Sequence, residues 1–451
     1  MNIMNFSMSS ILSFIKKPLF LIVLLGLLIR FVLIPLAYDF DIYHWAMIIS
    51  NINGGHNLYD LDGYYYTPVW GYLLGFMSSI SEFFFNGLLG MRFTDLLLIE
   101  NLEWPYHIAT VTTITFSFLM KIPIIICDII VGYLIYWLIK DRTGDVKKAT
   151  TGFGLWFLCP IVIYMSGIQA QFDSFSALFI MLSIILLYKD KCFLGGAMFS
   201  LAVLLKFFPG FCIFVVLAYI VAKHKGDGLT KKKLLETILG MVIMAIIIVL
   251  PVVLNGQLES MLSFITGRTG QSGQNFLTII AIGIAVLIAM VLGYMMYRTP
   301  AEDVDRKLFT YAFIAIAAST LISMAPQYFI VAIPFMILHI VSEERSYMKC
   351  LTIITFSALA TALVLNNFSL FCSLAAYTGL VSPEWVVSCM QFLETGLGFN
   401  LVATLSMVNL IMYAGTVLII VFFFADDVKK YSPKLGKFIL KLKHGRHYDE
   451  A

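Results

Sequence analysis

The chain alternates long apolar runs with short segments that carry lysine and arginine. Because these residues concentrate in the short cytoplasmic loops of membrane proteins, each basic segment marks the cytoplasmic side. The basic segments lie at 16–17, 140–148, 189–191, 223–233, 298–307 and 343–349, and in a tail at 425–451. The apolar runs must then cross in pairs between these segments, with both chain termini in the cytoplasm.

Twelve transmembrane helices satisfy this pattern. They are predicted near 19–38, 112–139, 149–167, 172–188, 192–207, 208–222, 234–254, 275–297, 308–325, 327–341, 350–369 and 401–424. The fold class that follows is an all-α polytopic membrane protein, in which residues 1–451 form a single transmembrane domain.

One apolar segment, YYYTPVWGYLLGFMSSISEFFF at 64–85, is not counted as a span. If it crossed the membrane, the basic segment at 140–148 would move outside, against the positive-inside rule. The segment instead predicts a helix that lies at the outer membrane surface, within a first extracytoplasmic loop at 39–111. Most aromatic side chains of this loop are interpreted as an interfacial belt. They are Tyr43, Trp45, Tyr59, Tyr64, Tyr65, Tyr66, Trp70 and Trp104.

The composition agrees with a membrane protein rather than with several soluble domains. Of the 451 residues, 60% are hydrophobic and 13% are charged, whereas soluble proteins carry about 25% charged residues. The net charge of +3 gives no reason to expect a nucleic acid as partner. The seven cysteines form no CxxC motif, which argues against a thiolate metal site.

Two charged residues lie deep within the predicted spans. Arg30 lies 13 residues beyond Lys17, and Asp128 lies 12 residues before Lys140. At ~1.5 Å per helical residue, both are roughly 18–20 Å above the cytoplasmic side. A charge at such depth costs about 2.5–3.5 kcal/mol, so we predict an Arg30–Asp128 ion pair. This pair either fixes the packing of helices or leaves Arg30 to face a phosphate group.

Two further charges lie near the outer surface. By the same ~1.5 Å rise per residue, Asp173 and Lys206 lie roughly 22–24 Å above the cytoplasmic side. One interpretation is a second ion pair, with Lys206 reaching toward the interface. The other is a polar cavity that opens outward, because separate hairpins bring charges to one depth. The cavity would be lined by Asp39, Asp41, Asp173 and Lys206.

The stretch YDFDIYHW (38–45) places a D-x-D triplet at the end of the first predicted span. Alone, such a triplet is as typical of a solvated loop as of a functional site. Other motifs follow in order: YYYTP (64–68), KIPIIICDIIVGYLIYWLI (121–139), a block at 159–209 that begins CPIVIYMSGIQAQFD, and APQYFIVAIPF (325–335). Together they resemble the GT-C superfamily of membrane glycosyltransferases. Within it, the family of GPI mannosyltransferase I catalytic subunits is the most similar.

The resemblance implies transfer of a hexose, with mannose favoured, from a polyprenyl-phosphate sugar to a lipid, glycan or protein acceptor at the extracytoplasmic face. Asp39 matches the acidic position that acts as general base in an inverting displacement, and Asp41 would orient it or bind the acceptor. A base is needed because a neutral alcohol is a poor nucleophile. Lys206 is the first choice for the leaving phosphate, and Arg268 the second, because negative charge develops there.

Several other residues are candidates for binding substrate. Asp173 and Gln171 would contact the sugar or the acceptor. His44 lies three residues from Asp41 on a predicted helix, so the two side chains face the same way. The D-x-D triplet offers hard oxygen ligands to Mg²⁺ or Mn²⁺, and metal use stays open. The remaining candidate binding residues are Lys121, Arg30, Gln327 and Tyr328.

Two other functions fit the same sequence. A transporter or flippase of lipid-linked sugars would use many spans and buried charges, although such sites tend to lie near the bilayer centre on broken helices. A non-catalytic subunit with the same fold is the third interpretation. The ending HYDEA is not a retrieval signal of the K-D-E-L kind, and a prokaryotic plasma membrane is preferred over the endoplasmic reticulum.

Overall fold

The computed structural model describes residues 17–36, 40–60, 64, 66–81, 83, 96–98, 110–263, 276–323, 325–343, 345–365 and 379–444. The helices of the first half are α1 (Pro18–Leu36), α2 (Phe40–Asn53), α3 (Pro68–Ser81), α4 (Ile114–Thr143), α5 (Val146–Phe157), α6 (Pro160–Tyr164), α7 (Asp173–Tyr188), α8 (Cys192–Leu205) and α9 (Ile213–Lys223). Those of the second half are α10 (Thr230–Leu254), α11 (Phe276–Arg298), α12 (Val304–Ser319), α13 (Ile333–Ser342), α14 (Met348–Leu365), α15 (Pro383–Gln391), α16 (Leu401–Phe423), α17 (Ala425–Tyr431) and α18 (Pro433–His444).

Short segments of other structure connect these helices. One antiparallel pair of strands, β1 (Leu96–Leu98) and β2 (Thr110–Thr112), lies between α3 and α4. The 3-10 segments are Phe208–Cys212, Thr320–Ile322, Pro326–Val331 and Arg345–Tyr347, and the π-helical segments are Met165–Gln169 and Phe392–Gly396. Apart from the two strands, the regular structure of the described chain is helical, as the sequence predicted.

Six of the described helices are long and apolar enough to cross a membrane, for which about 20 residues are needed. They are Pro18–Pro35, Ile114–Thr143, Thr230–Leu254, Ile279–Arg298, Arg345–Leu365 and Val402–Phe423. A seventh candidate is the pair Val146–Phe157 and Pro160–Gln169, which is bent by 48° at its break. The chain therefore has the features of a multi-pass membrane protein.

The predicted total of twelve spans is not reached by helices of spanning length. Four further apolar helices, at positions where spans were predicted, have only 10–17 residues. They are Asp173–Tyr188, Cys192–Leu205, Phe208–Lys223 and Ile333–Ser342. In the structure, an apolar run can be divided between a short α-helix and a 3-10 or π-helical segment. No single helix in such a run then reaches spanning length, although the run as a whole is long enough.

The surface of α10 shows why a membrane is the natural solvent of this protein. Leu235, Ile246, Ile247 and Leu254 each expose more than half of their side-chain area. In water, a continuous apolar helix face of this kind would be buried against a neighbour. Facing hydrocarbon it needs no cover, so α10 is a helix of the lipid-facing surface.

Helix α8 crosses α10 at unusually short range. A Cβ atom on Gly196 would lie 2.0 Å from the backbone oxygen of Thr237, and one on Gly240 would lie 2.0 Å from that of Phe193. Small residues allow such close backbone approach, which stabilises helix pairs in membranes. The crossing fixes α8, which forms an antiparallel hairpin with α7 through the turn at 189–191.

This hairpin defines the two ends of the molecule. Asp173 begins α7 and Lys206 directly follows α8, so both lie at one end, which we call the outer end. The turn at 189–191 lies at the other, basic end, which we call the cytoplasmic end. Helix α3 packs beside the outer end, where Tyr72 donates a hydrogen bond to the backbone oxygen of Ile248 at 3.2 Å. With 14 residues, α3 is not among the described helices of spanning length.

Candidate functional site

Asp41 lies in the first turn of α2, where a helix N-terminus favours a carboxylate. One of its carboxylate oxygens accepts a hydrogen bond from the side-chain amide of Gln171. The amide of Gln169 lies 3.4 Å from the same oxygen. Two glutamines from a different part of the chain therefore hold Asp41, which is itself half-exposed.

The segment 165–173 brings these glutamines to Asp41. Residues Met165–Gln169 form a π-helix, and Ala170 then adopts a left-handed conformation with φ 54°. A left-handed non-glycine residue costs about 1–2 kcal/mol and persists only where its surroundings hold it. Here the indole N–H of Trp45 donates to the backbone oxygen of Ala170 at 3.2 Å. π-helical turns and strained residues are both frequent at functional sites.

The same segment continues to a second charged group. Asp173 follows two residues after Gln171, and its carboxylate lies 3.3 Å from the Lys206 ammonium nitrogen. The side chains are 5% exposed for Lys206 and fully buried for Asp173. Of the two interpretations that the depths allowed, the structure shows the ion pair. We call the group formed by Asp41, Gln169, Gln171, Asp173 and Lys206 the outer site.

Aromatic rings surround the Lys206 ammonium. Its nitrogen lies 4.3 Å from the ring centre of Phe172, 5.1 Å from that of Tyr66 and 5.4 Å from that of Tyr328. Cation–π attraction of this kind holds a cation where water is scarce. Among the residues that the structure describes, the ammonium makes no well-aligned hydrogen bond. Its N–H groups are therefore not all engaged by protein acceptors within the described chain.

Aromatic side chains of the outer loop form a core, and the predicted role as an interfacial belt is wrong for four of the six that the structure describes. Trp45, Tyr64 and Trp70 are fully buried, and Tyr59 is nearly so. Trp70 stacks on Phe172 with ring centres 4.5 Å apart. The aromatic residues thus pack the outer loop onto the helices. Tyr65 and Trp104 lie outside the described residues.

In the YYYTP motif, the hydroxyl of Tyr64 forms hydrogen bonds with the backbone at the start of α3. Tyr64 donates to the backbone oxygen of Thr67 at 2.8 Å and accepts from the backbone N–H of Gly71 at 2.7 Å. Tyr59 donates to the backbone oxygen of Tyr66 at 2.9 Å. Burial raises the pKa of both Tyr59 and Tyr64, so these hydroxyls remain donors. The motif therefore orders the loop that carries Tyr66 to Lys206.

Arg30 and Asp128 form the deep ion pair that their depths predicted, with 3.0 Å between nitrogen and oxygen. Both side chains are fully buried and extensively hydrogen-bonded. Arg30 also donates to the Ser166 hydroxyl at 2.8 Å and to the backbone oxygen of Phe157 at 2.9 Å. Asp128 accepts from the Ser174 hydroxyl at 2.6 Å. This geometry favours the packing role over a phosphate contact.

The other predicted residues divide into three groups. Tyr328 reaches the outer site, and its ring centre lies 4.3 Å from that of Phe208. Lys121 is buried beside the end of α1, with its ammonium 3.4 Å from the backbone oxygen of Ile34. His44 and Gln327 are half-buried, and the His44 ring centre lies 5.3 Å from that of Trp45. Asp39 and Arg268 lie outside the described residues.

Two features of the outer site were not anticipated from the sequence. Gln169 was overlooked, although the alternation in QAQFD places it and Gln171 two residues apart. The ring cage around Lys206 was also overlooked, because Tyr66 and Phe172 come from distant segments. Among the described residues, side chains that could jointly hold a metal ion converge instead at the cytoplasmic end, at Asp190, Cys192 and His224.

Comparison with known proteins adds no relative. No protein-family model matches the chain, and no curated protein matches it. The likeness to glycosyltransferases that the motif order indicates therefore stays a prediction, and the function is argued from the geometry of the outer site.

Proposed function

We propose that the protein is a membrane glycosyltransferase that moves a hexose, with mannose favoured, from a polyprenyl-phosphate sugar to an acceptor at the extracytoplasmic face. The observation that carries the proposal is the buried Lys206 ammonium. It is caged by rings, its N–H groups are incompletely engaged among the described residues, and one short segment joins it to Asp41. A cation beside a carboxylate is what transfer from a phosphate ester requires.

The reaction assigns each group a role. The acceptor hydroxyl attacks the anomeric carbon, a new C–O bond forms, and the bond to the phosphate oxygen breaks. The hydroxyl proton passes to a carboxylate, for which Asp39 is the first choice, with Asp41 orienting it or binding the acceptor. The polyprenyl phosphate leaves with the electron pair, and Lys206 stabilises its negative charge. Gln171 and Asp173 contact the sugar or the acceptor.

Topology and location complete the proposal. Twelve spans would result if the bent pair of α5 and α6 and the short helices α7, α8, α9, α12 and α13, with their 3-10 and π-helical extensions, cross the membrane together with the six long helices. Both termini would then be cytoplasmic, and the outer site would open to the far side of a prokaryotic plasma membrane. The donor lipid would approach through the bilayer, while a lipid, glycan or protein acceptor would approach from outside. Mg²⁺ or Mn²⁺ held by the D-x-D triplet would assist the leaving phosphate.

The test is sugar transfer by the purified protein in nanodiscs. Labelled polyprenyl-phosphate mannose or glucose is incubated with a mixed acceptor extract, with and without Mg²⁺. Asp39→Asn and Asp41→Asn are compared with wild type, and Asp303→Asn, a carboxylate substitution at an exposed cytoplasmic turn, is the matched control. We expect transfer by wild type and the control, and its loss in Asp39→Asn. Equal transfer by Asp39→Asn and wild type would remove Asp39 as the base.

One observation favours a second function, the transport or flipping of a lipid-linked sugar. The bent pair Val146–Phe157 and Pro160–Gln169 is a broken helix, and its second half ends at a residue beside Asp41. Transporters place substrate at such breaks. Proteoliposomes with labelled donor lipid distinguish the two functions, because a flippase moves the lipid across the bilayer and leaves its sugar bond intact.

A further inference from the structure

At the cytoplasmic end, two loops bring three metal-ligating side chains together. Asp190 lies in the turn between α7 and α8, Cys192 begins α8, and His224 follows α9. One ligand atom from each residue lies within 4.8 Å of the others. Cys192 and His224 are buried, and Asp190 is partly exposed. We call these three residues the cytoplasmic cluster.

The two distances recorded within the cluster lie just below and just above the spacing of ligands around a small cation. The Nε2 atom of His224 lies 2.9 Å from Oδ1 of Asp190, and Sγ of Cys192 lies 3.9 Å from the same oxygen. Zn²⁺ binds nitrogen and oxygen at about 2.0–2.2 Å and sulfur at about 2.3 Å in a tetrahedron. Such bond lengths place neighbouring ligand atoms about 3.3–3.7 Å apart, between the two observed distances.

The orientation of His224 points to a cation more directly than the distances do. Its Nδ1 lies 2.7 Å from Oδ2 of Asp227, and since an ionised carboxylate only accepts hydrogen bonds, Nδ1 carries a proton there. With the proton on Nδ1, the Nε2 lone pair faces the Asp190 oxygen 2.9 Å away. Among the described residues, Nε2 is buried and makes no hydrogen bond of acceptable geometry. Two lone pairs this close repel each other, so either a proton or a metal cation must lie between them.

The neighbouring charges hold the ligands as second-shell groups hold them in known metal sites. Asp227 fixes the tautomer and ring orientation of His224, the arrangement found where a carboxylate supports a zinc-bound histidine. Lys233 lies 2.9 Å from Oδ2 of Asp190, which leaves Oδ1 directed at Cys192 and His224. The Lys233 ammonium beside Asp190 also favours the ionised carboxylate that a metal ligand must be.

We propose that the cytoplasmic cluster is a Zn²⁺ site, with Asp190, Cys192 and His224 as protein ligands and water as the fourth. Imidazole, carboxylate and a single thiolate suit Zn²⁺ better than Mg²⁺ or Ca²⁺, which prefer oxygen alone. The site would tie the turn at 189–191 to the loop at 224–229. The sequence contains no CxxC motif, but this site does not require one because its ligands come from two separate loops. The site is independent of the proposed glycosyl transfer.

Metal analysis of the full-length protein in nanodiscs tests the site. The protein is dialysed against Mg²⁺ buffer, its zinc content is measured, and Zn²⁺ affinity is determined with a competing chelator. Co²⁺ is then substituted, because a thiolate ligand gives it a charge-transfer band. We expect one zinc per chain, a thiolate band that Cys192→Ser removes, and a 10- to 100-fold lower affinity in Asp227→Asn.

The matched control is Cys350→Ser, which changes another buried cysteine on a separate helix. It should keep both the zinc and the thiolate band. Absence of stoichiometric zinc in wild type, or a band unchanged in Cys192→Ser, would overturn the proposal and leave an ion-pair network around a protonated His224. If Cys192→Ser does not fold, the wild-type Co²⁺ spectrum decides alone, since no thiolate band means no site.

Discussion

Two buried ion pairs in this protein are built in opposite ways. The Arg30–Asp128 pair lies deep among the helices, and serine hydroxyls and a backbone oxygen engage its remaining polar atoms. The Lys206–Asp173 pair lies at the outer end, and among the described residues its ammonium is surrounded by aromatic rings and by the single carboxylate of Asp173. Both pairs are at least 95% buried, so burial alone does not distinguish them.

The difference indicates what each pair is for. A buried charge with every hydrogen bond made is held in one geometry, and it has nothing left to offer a ligand. A buried charge with unmade hydrogen bonds is costly on its own and gains when a ligand supplies the missing partner. We therefore expect the Arg30–Asp128 pair to stabilise the packing of the helices. We expect Lys206 to bind a ligand. Four predictions follow from this contrast, from the largest effect to the smallest.

The largest effect is expected from Arg30→Met. It leaves Asp128 buried without its cation, and breaking a buried pair in this way costs about 3–5 kcal/mol. We expect a matching loss in the free energy of unfolding, measured with denaturant in detergent micelles. The double variant Arg30→Met/Asp128→Leu removes both charges and should recover most of the loss. A single variant as stable as wild type would contradict the structural role.

The second prediction concerns activity rather than stability. Lys206→Met should lower sugar transfer about 100-fold or more, because one group that stabilises developing charge is typically worth that much. Its stability loss should be smaller than that of Arg30→Met, since Asp173 remains at a helix N-terminus, which favours its charge. Lys223→Met, which removes a lysine paired with Asp305 at the cytoplasmic end, is the matched control. Equal transfer by the two variants would argue against Lys206 as the phosphate ligand.

A smaller effect is expected from Gln171→Ala. Loss of one amide hydrogen bond to a carboxylate costs about 1.5–3 kcal/mol when the group is charged and buried. Asp41 is half-exposed, so we expect transfer to fall only about tenfold. Gln169→Ala should have less effect, because its amide lies farther from Asp41. Steady-state transfer rates check both, and the reverse order would show that Gln169 is the main support.

The smallest effect is expected from Arg142→Gln, which breaks a partly exposed pair with Glu343 at 3.2 Å. Such pairs contribute about 0.2–1 kcal/mol, and salt screens them. Burial would raise the pKa of Glu343, but His339 and the arginines outweigh it and lower that pKa. Its stabilising contribution is therefore present above the unfolded pKa and lost as pH falls through the folded pKa. Unfolding at two pH values and two salt concentrations checks this.

The helical fold class and both buried ion pairs could be predicted from the sequence. Depth arithmetic succeeded for Arg30 with Asp128 and for Asp173 with Lys206, because helical rise is constant and basic loops mark one side. The predicted depths thus located contacts between residues 98 and 33 positions apart. The depths did not show that, among the described residues, the Lys206 ammonium has N–H groups without a well-aligned acceptor.

The span count and the aromatic residues could not be predicted from composition. Hydropathy records how apolar a run is, and it does not record where a helix changes to a 3-10 or π-helical turn. Tyrosine and tryptophan suit both a membrane interface and a protein core. Only the fold shows that Trp45 and Trp70 pack against Phe172 rather than face lipid headgroups.

Helix α8 joins the two chemical regions of the molecule mechanically. Cys192 is its first residue and Lys206 follows its last, so this one helix connects the cytoplasmic cluster with the outer site. A slide by one residue would move both ends by about 1.5 Å. The glycine crossing with α10 resists such a slide, because side chains larger than hydrogen do not fit there. The position of Lys206 is therefore fixed by contacts near the other end of the helix.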